Sequence, residues 1–190
     1  MSAILEYLEA SAKNITRVCV DVDLAFAIQE ASKPLVEALQ NGARIYVAGN
    51  GGSFAHAQHF AAELVGWFYH RSPPLPVCTL GANSSFVTAW GNDESFTNVF
   101  AREFRALARK GDALLIFSTS GNSQNIIRVL EDAKAMGIPS VGILGHNGGA
   151  AKPRCTASVV VELEETPQIQ EVHQIILHAL VAEILRNLDK

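Results

Sequence analysis

His59 and Glu63 are the residues of this sequence whose types and spacing most clearly suit chemistry. Four positions apart on a helix, they sit about 40° apart around the axis and about 6 Å apart along it, so they share a face. An imidazole and a carboxylate one turn apart can hold a divalent metal, act as a base with its orienting partner, or form an ordinary helix-surface pair. The neighbours Phe60, Ala61, Ala62, Leu64 and Val65 are apolar, so much of this helix is expected to be buried, where an unpaired charge is costly. Gln170, His173 and His178 stand in a second, mostly apolar helix near the C-terminus. A satisfied core or interface residue is the ordinary explanation for each.

The elements that must position these groups are legible around them. Ile45–Ala48 reads as a short strand, Gly49-Asn-Gly-Gly-Ser53 as a turn, and Phe54 to Trp67 as an Ala-rich helix. Ser53 is the expected N-cap. A strand, a glycine turn and a helix N-terminus make an anion site, because the first-turn N–H groups lack helical partners and carry the positive dipole end. A second cradle follows the apolar strand Ala113–Phe117: Ser118-Thr-Ser-Gly-Asn-Ser123 leads into a helix ending at Met136. Its hydroxyls and N–H groups can bind phosphate without a lysine, although a Ser-rich turn with a Ser cap explains the same letters. Gly91-Asn-Asp-Glu94 is a further polar turn that turn chemistry alone would explain. The chain carries neither a dinucleotide fingerprint, since Phe54 stands where a third glycine would follow Gly49 and Gly51, nor a P-loop Gly-Lys-Ser/Thr.

Elsewhere, residues 2 to about 20 and Leu24–Gln40 read as helices, the second capped by Asp21-Val-Asp23 and stopped at Asn41-Gly42. Two helices before the first strand form either a lid on the core or a subunit contact. Strands are expected at Leu75–Leu80, Ile138–Leu144 and Ala157–Leu163, with a short helix ending near Trp90. Another helix is expected over Ser95–Arg109, with Phe96, Val99, Phe100, Phe104 and Leu107 inward. A last helix runs from Glu164, through the cap-then-N1 pair Thr166-Pro167, to Leu188. Alternating strands and helices predict an α/β domain, a three-layer sandwich with a central parallel sheet and ligands at the strand C-terminal ends. The expected organisation is one domain over 1–190, with a helical segment 1–41 and an α/β core 42–190.

Composition narrows the partners. The chain is 48% hydrophobic and 18% charged, with a net charge of −4 and no basic block, which argues against nucleic acid as a principal partner. No stretch approaches the roughly 20 apolar residues of a membrane span, and the N-terminus does not read as a signal peptide. Cys19, Cys78 and Cys155 are isolated and odd in number, which points to a reducing cytoplasm rather than a disulfide framework.

Taken together, Gly49-Asn-Gly-Gly-Ser53, Ala57-Gln-His-Phe-Ala-Ala-Glu63, Gly91-Asn-Asp93, Ser118–Ser123 and Ile169-Gln-Glu-Val-His173 with His178 resemble the bacterial phosphoheptose isomerases of the sugar-isomerase (SIS) domain family. The resemblance spans nearly the whole chain, in the family's order. It implies conversion of D-sedoheptulose 7-phosphate to D-glycero-D-manno-heptose 7-phosphate, the entry to the heptose of lipopolysaccharide or other surface glycans. It further implies a homotetramer assembled partly through the N-terminal helices, with active sites at subunit interfaces. Ser118, Thr119, Ser120 and Ser123 would hold the phosphate, and Asn50, Gly51, Gly52, Asn92 and Asp93 the sugar. His59, Glu63, Gln170 and His178 would surround one zinc ion per subunit. Glu63 is the candidate for the carbon-bound proton and His178 for the oxygen-bound proton.

Gln170 and His178 lie eight residues apart, about 12 Å along a regular helix. Both reach one ion only across a distorted helix or from different subunits, and two ligands from each of two subunits is the expected arrangement. Gln168, where the family is usually basic, and Phe54-Ala-His56 are departures from the pattern. The alternatives within the same fold are a non-catalytic protein binding the replication initiator, which would lack the Glu63–His178 pair, and a sugar-phosphate-sensing domain.

Overall fold

The computed structural model describes residues 2–188. Five parallel strands, β1 (Ile45–Ala48), β2 (Val77–Thr79), β3 (Ala113–Ser118), β4 (Ser140–Gly145) and β5 (Ala157–Val161), form one sheet in the order β2-β1-β3-β4-β5. Every residue of β1, β3 and β4 is buried, as expected of parallel strands covered on both faces. The helices are α1 (Ala3–Cys19), α2 (Val22–Gln40), α3 (Gly52–Val65), α4 (Ser84–Asp93), α5 (Val99–Leu107), α6 (Gln124–Ala135) and α7 (Thr166–Leu188).

Residues of α2, α3 and α7 close one face of the sheet around Leu35, Phe60, Phe117 and Ile176. Those of α5 and α6 close the other around Tyr46, Phe104, Ile116 and Ile126. The three-layer α/β architecture predicted from the alternation is therefore present. The chain leaves β1 to form β2 on one side and returns to form β3 on the other, so the winding reverses between β1 and β3. Ligands favour the crevice at the strand ends where such a reversal occurs.

Several local expectations are corrected. Ser53 does not cap α3: Gly51, with φ +54, is the capping position, and Ser53 is buried inside the first turn. Gly91, Asn92 and Asp93 form the last turn of α4 rather than a free loop. The region after Ser95 begins with a 3₁₀ turn, Phe96–Asn98, and it turns Phe96 outward, while Leu107 at the end of α5 is likewise exposed. Strand β2 is three residues rather than six. The N-terminal pair divides: α2 buries Leu35, Val36 and Leu39 in the core, whereas α1 buries only Ser11 and leaves Ile4, Leu5, Tyr7 and Leu8 exposed.

Candidate active site

Two helices start at the reversal of the sheet, α3 after β1 and α6 after β3, and neither has a side chain capping its first turn. The Ser53 and Ile126 N–H groups turn back onto the Asn50 and Ser123 carbonyls, and the positive dipole ends of both helices face the reversal. Asn50, Gly51, Gly52 and Ser53 from the first turn, Ser118, Thr119 and Ser123 from the second, and Phe117, Thr166 and Gln170 line a cleft of about 290 Å³ between them. The loop is shaped from within. The Ser118 hydroxyl accepts from the Gly121 N–H at 3.1 Å, and the Ser120 hydroxyl from the Asn122 N–H at 3.1 Å. Gly121 adopts φ +63, and a Cβ there would clash with the Gly148 carbonyl. Gly52 leaves room for the Gln170 carboxamide, which a Cβ there would displace.

The predicted sugar and phosphate residues therefore gather, with exceptions. Ser120 is half-buried in the loop but does not line the cleft. Asn92 and Asp93, hydrogen-bonded to each other at 2.8 Å, are exposed at the end of α4 and do not line it either.

The second part of the site lies between α3 and α7. His59 Nε2 and Glu63 Oε1 are 2.8 Å apart, and His178 Nε2 stands 3.5 Å from His59 Nε2. One ligand atom from each of the three lies within 4.8 Å of the others, and all three side chains are half-buried. Two imidazoles and a carboxylate form a mixed N/O donor set of the kind zinc accepts, and an open position beyond three protein ligands is the hallmark of a catalytic site. The residues present therefore fit a divalent metal. Phe68 packs against His178 with ring centroids 5.5 Å apart.

Helix α7 is continuous from Thr166 to Leu188, so no distortion brings Gln170 to His178. Gln170 lies at the cleft, beside Gly52. Three of the four expected donors thus lie together within one chain, and Gln170 stands apart from them at the cleft. Between Gln170 and His178 stands a residue that sequence reasoning missed. Gln174 Nε2 is 3.2 Å from His59 Nδ1 and 3.1 Å from His178 Nε2. The i, i+4, i+8 spacing of Gln170, Gln174 and His178 was the available signal. Asn125 was missed as well: it exchanges carboxamide hydrogen bonds with Asn50, 75 residues away.

His173 is not part of this cluster. It is fully buried, 6.3 Å between centroids from both His56 and Phe117, and neither ring nitrogen has a hydrogen-bond partner among the described residues. Burial drives its pKa down to about 4, a shift only partly opposed by the Leu144 backbone. Burial lowers that of His56 too, helped by the nearby His59.

The sequence model of the SIS domain matches residues 6–145. The chain belongs to the SIS domain family. A curated SIS relative, the phosphoheptose isomerase of Nitratiruptor sp., is 48% identical across 85% of this chain and 87% of its own. Among solved structures, a phosphoheptose isomerase from Francisella tularensis aligns over 97% of this chain and 98% of that one, with 33% identity and a TM-score of 0.89. One from Neisseria gonorrhoeae aligns over 96% and 97%, with 32% identity and a TM-score of 0.86. The SIS match ends at Gly145, the last residue of β4, so α7 with Gln170, Gln174 and His178 lies beyond it.

Proposed function

We propose that this chain is an aldose–ketose isomerase that converts D-sedoheptulose 7-phosphate to D-glycero-D-manno-heptose 7-phosphate through an enediol. The observation that carries the reading is the placement of a phosphate-type cleft and a Glu63–His59–His178 cluster along the same pair of helices. Both α3 and α7 start at the C-terminal edge of the sheet and pack side by side. From Gly52 at the cleft to His59 is seven residues, about 10 Å of helix. A sugar phosphate with its phosphate at one end and its carbonyl at the other suits that separation, and the relatives' names supply the seven-carbon substrate.

In this mechanism the uncapped first turns of α3 and α6, with Thr119 and Ser123, bind the phosphate, while Ser118 and Ser120 hold the loop in shape. The Glu63 carboxylate takes the proton from C1 or C2 and returns it to the other carbon. His178 moves a proton between the O1 and O2 oxygens, or opens the sugar ring. His59, at 2.8 Å from Glu63, orients the carboxylate. His59, Glu63 and His178 are also the residues that would hold a zinc ion, with Gln170 as the further donor the resemblance implies. Such a metal, when bound, polarises the carbonyl and stabilises enediolate charge.

Asn92 and Asp93, as an exposed pair, serve a sugar seated at a subunit boundary. Assembly as a homotetramer through α1, with active sites at the interfaces, is supported by the exposed Ile4, Leu5 and Leu8. It is supported equally by Val65, Trp67 and Tyr69, left exposed immediately after Glu63. No described helix is long and apolar enough to cross a membrane, and we place the reaction in the cytoplasm, feeding surface-glycan heptose. The presence of Glu63 and His178 in one cluster weighs against a non-catalytic SIS protein.

The test is turnover of sedoheptulose 7-phosphate by the purified protein, with and without a chelator, beside Glu63→Gln and His178→Ala. Loss of at least 100-fold in both variants is expected, in keeping with the roughly 10²–10⁴ that acid–base groups contribute. A wild type that binds the sugar phosphate but never turns it over, even with zinc supplied, overturns the reading.

A further inference from the structure

We infer that Gln174 is the positioning residue that sets the tautomer of His59 and thereby admits the metal. The inference rests on the reading that His59, Glu63 and His178 hold a metal ion.

Hydrogen-bond chemistry fixes the protons of the cluster. The Gln174 amide nitrogen faces His59 Nδ1 at 3.2 Å and His178 Nε2 at 3.1 Å. An amide NH₂ has two hydrogens and no lone pair to offer, so both ring nitrogens act as acceptors. His59 must then carry its proton on Nε2, where Glu63 Oε1 accepts it at 2.8 Å. The contacts of His59 with Gln174 and Glu63 are satisfied in this way, with His59 as the Nε2–H tautomer, while its Nε2 and that of His178 lie 3.5 Å apart without sharing a hydrogen.

That tautomer cannot ligate through Nε2, because the nitrogen that faces Glu63 and His178 has its lone pair occupied by a proton. Metal entry at the point where the three residues converge requires the proton to leave Nε2 and His59 to carry one on Nδ1, with no net change in its charge. The partner at Nδ1 is Gln174, which must then accept. A carboxamide can do this by turning its oxygen towards His59, whereas an alkyl side chain cannot. Metal-ligating histidines ordinarily donate their other N–H to such a partner, and its removal typically costs about 10–100-fold in metal affinity. Gln174 therefore has two working orientations: amide towards His59 when that ring carries its proton on Nε2, oxygen towards it when the proton is on Nδ1.

The experiment combines zinc affinity, read by competition with a chromophoric chelator, with long-range ¹H–¹⁵N correlation of ¹⁵N-histidine-labelled protein. In the wild type, the His59 proton is expected on Nε2 without zinc and on Nδ1 with it. Gln174→Leu should weaken zinc binding by about 10–100-fold, and Gln174→Glu, which supplies an acceptor oxygen, should restore it to at least the wild-type level. A Gln174→Leu affinity within twofold of wild type, failure of Gln174→Glu to restore binding, or a loaded wild type whose His59 Nδ1 lacks a proton overturns the proposal while leaving the metal site standing. Wild-type protein that takes up no zinc, or a His59→Ala variant that binds it unchanged, overturns the metal site and the proposal together. If Gln174→Leu does not fold, Gln174→Ala, which removes the acceptor without adding bulk, is measured in its place, and unchanged zinc affinity there overturns the proposal.

Discussion

Asn50 and Asn125 clasp each other's carboxamides: Asn50 donates to Asn125 Oδ1 at 2.9 Å, and Asn125 donates back to Asn50 Oδ1 at 2.8 Å. Asn50 lies within the turn after β1, and Asn125, almost fully buried, lies in the first turn of α6, where its Oδ1 also accepts from the Ile126 N–H at 3.0 Å. The pair ties the turn before α3 to the start of α6. Asn125→Leu is expected to cost roughly 1–3 kcal/mol, the range for stranding a buried polar partner. It should also raise KM for the sugar phosphate more than it lowers kcat. Steady-state kinetics with urea unfolding checks both, and an unchanged KM would show that the clasp is only structural.

Gly121 makes a second prediction about the same cleft. Its positive φ and the nearness of the Gly148 carbonyl leave no room for a side chain. Gly121→Ala should lower stability by roughly 1–3 kcal/mol, the cost of forcing such backbone, and weaken phosphate binding by displacing Ser118–Ser123. Calorimetric titration with inorganic phosphate reads the second effect. Wild-type affinity in a destabilised variant would separate the loop's shape from its binding role.

His173 gives the protein a pH dependence of defined sign. Its folded pKa is about 4, below the ordinary 6.5, so between these values the unfolded chain binds the proton and the folded chain does not. The contribution to stability is complete above about pH 6.5 and is lost as pH falls towards 4. A depression of that size corresponds to something on the order of 3 kcal/mol, and His56, lowered as well, adds in the same direction. Urea unfolding across this window should show the decline, and His173→Phe should flatten it. An equally steep decline in that variant would move the effect to other groups.

The exposed face of α1 sets a fourth expectation. Leu5→Glu with Leu8→Glu should lower the sedimentation mass by breaking a subunit contact. Because His59, Glu63 and His178 come from one protomer, the dissociated variant should keep weakened zinc binding. Complete loss of zinc on dissociation would mean that the decisive donor comes from a neighbour.

How much of this was legible in the letters depends on where each partner lies. Strand β1, the two turns and the shared face of His59 and Glu63 were readable because each is decided within a few residues. Ser53 misled because a serine before an apolar run usually caps, whereas the positive φ of Gly51 started the helix earlier and drew Ser53 inside. Phe96 misled because one 3₁₀ turn rotates its face away from the α-helical stripe that follows. Asn125 takes its role from a residue 75 positions away, which no local pattern carries, and Gln174, 115 positions from His59, was signalled only by its one-turn spacing from Gln170 and His178.

Helix α7 follows all five strands in the chain, yet it supplies Gln170, Gln174 and His178 and buries Ile169, Val172, Ile176, Leu177, Leu180, Val181 and Ile184 against the sheet. During synthesis the ribosome therefore delivers every strand before the last of the three helices that cover that side. Until α7 emerges, that side is covered only by α2 and α3, and His59 and Glu63 have no His178 opposite them. A chain terminated before Thr166 would lose part of that cover together with Gln170, Gln174 and His178, so loss of packing and loss of the site would come as one event.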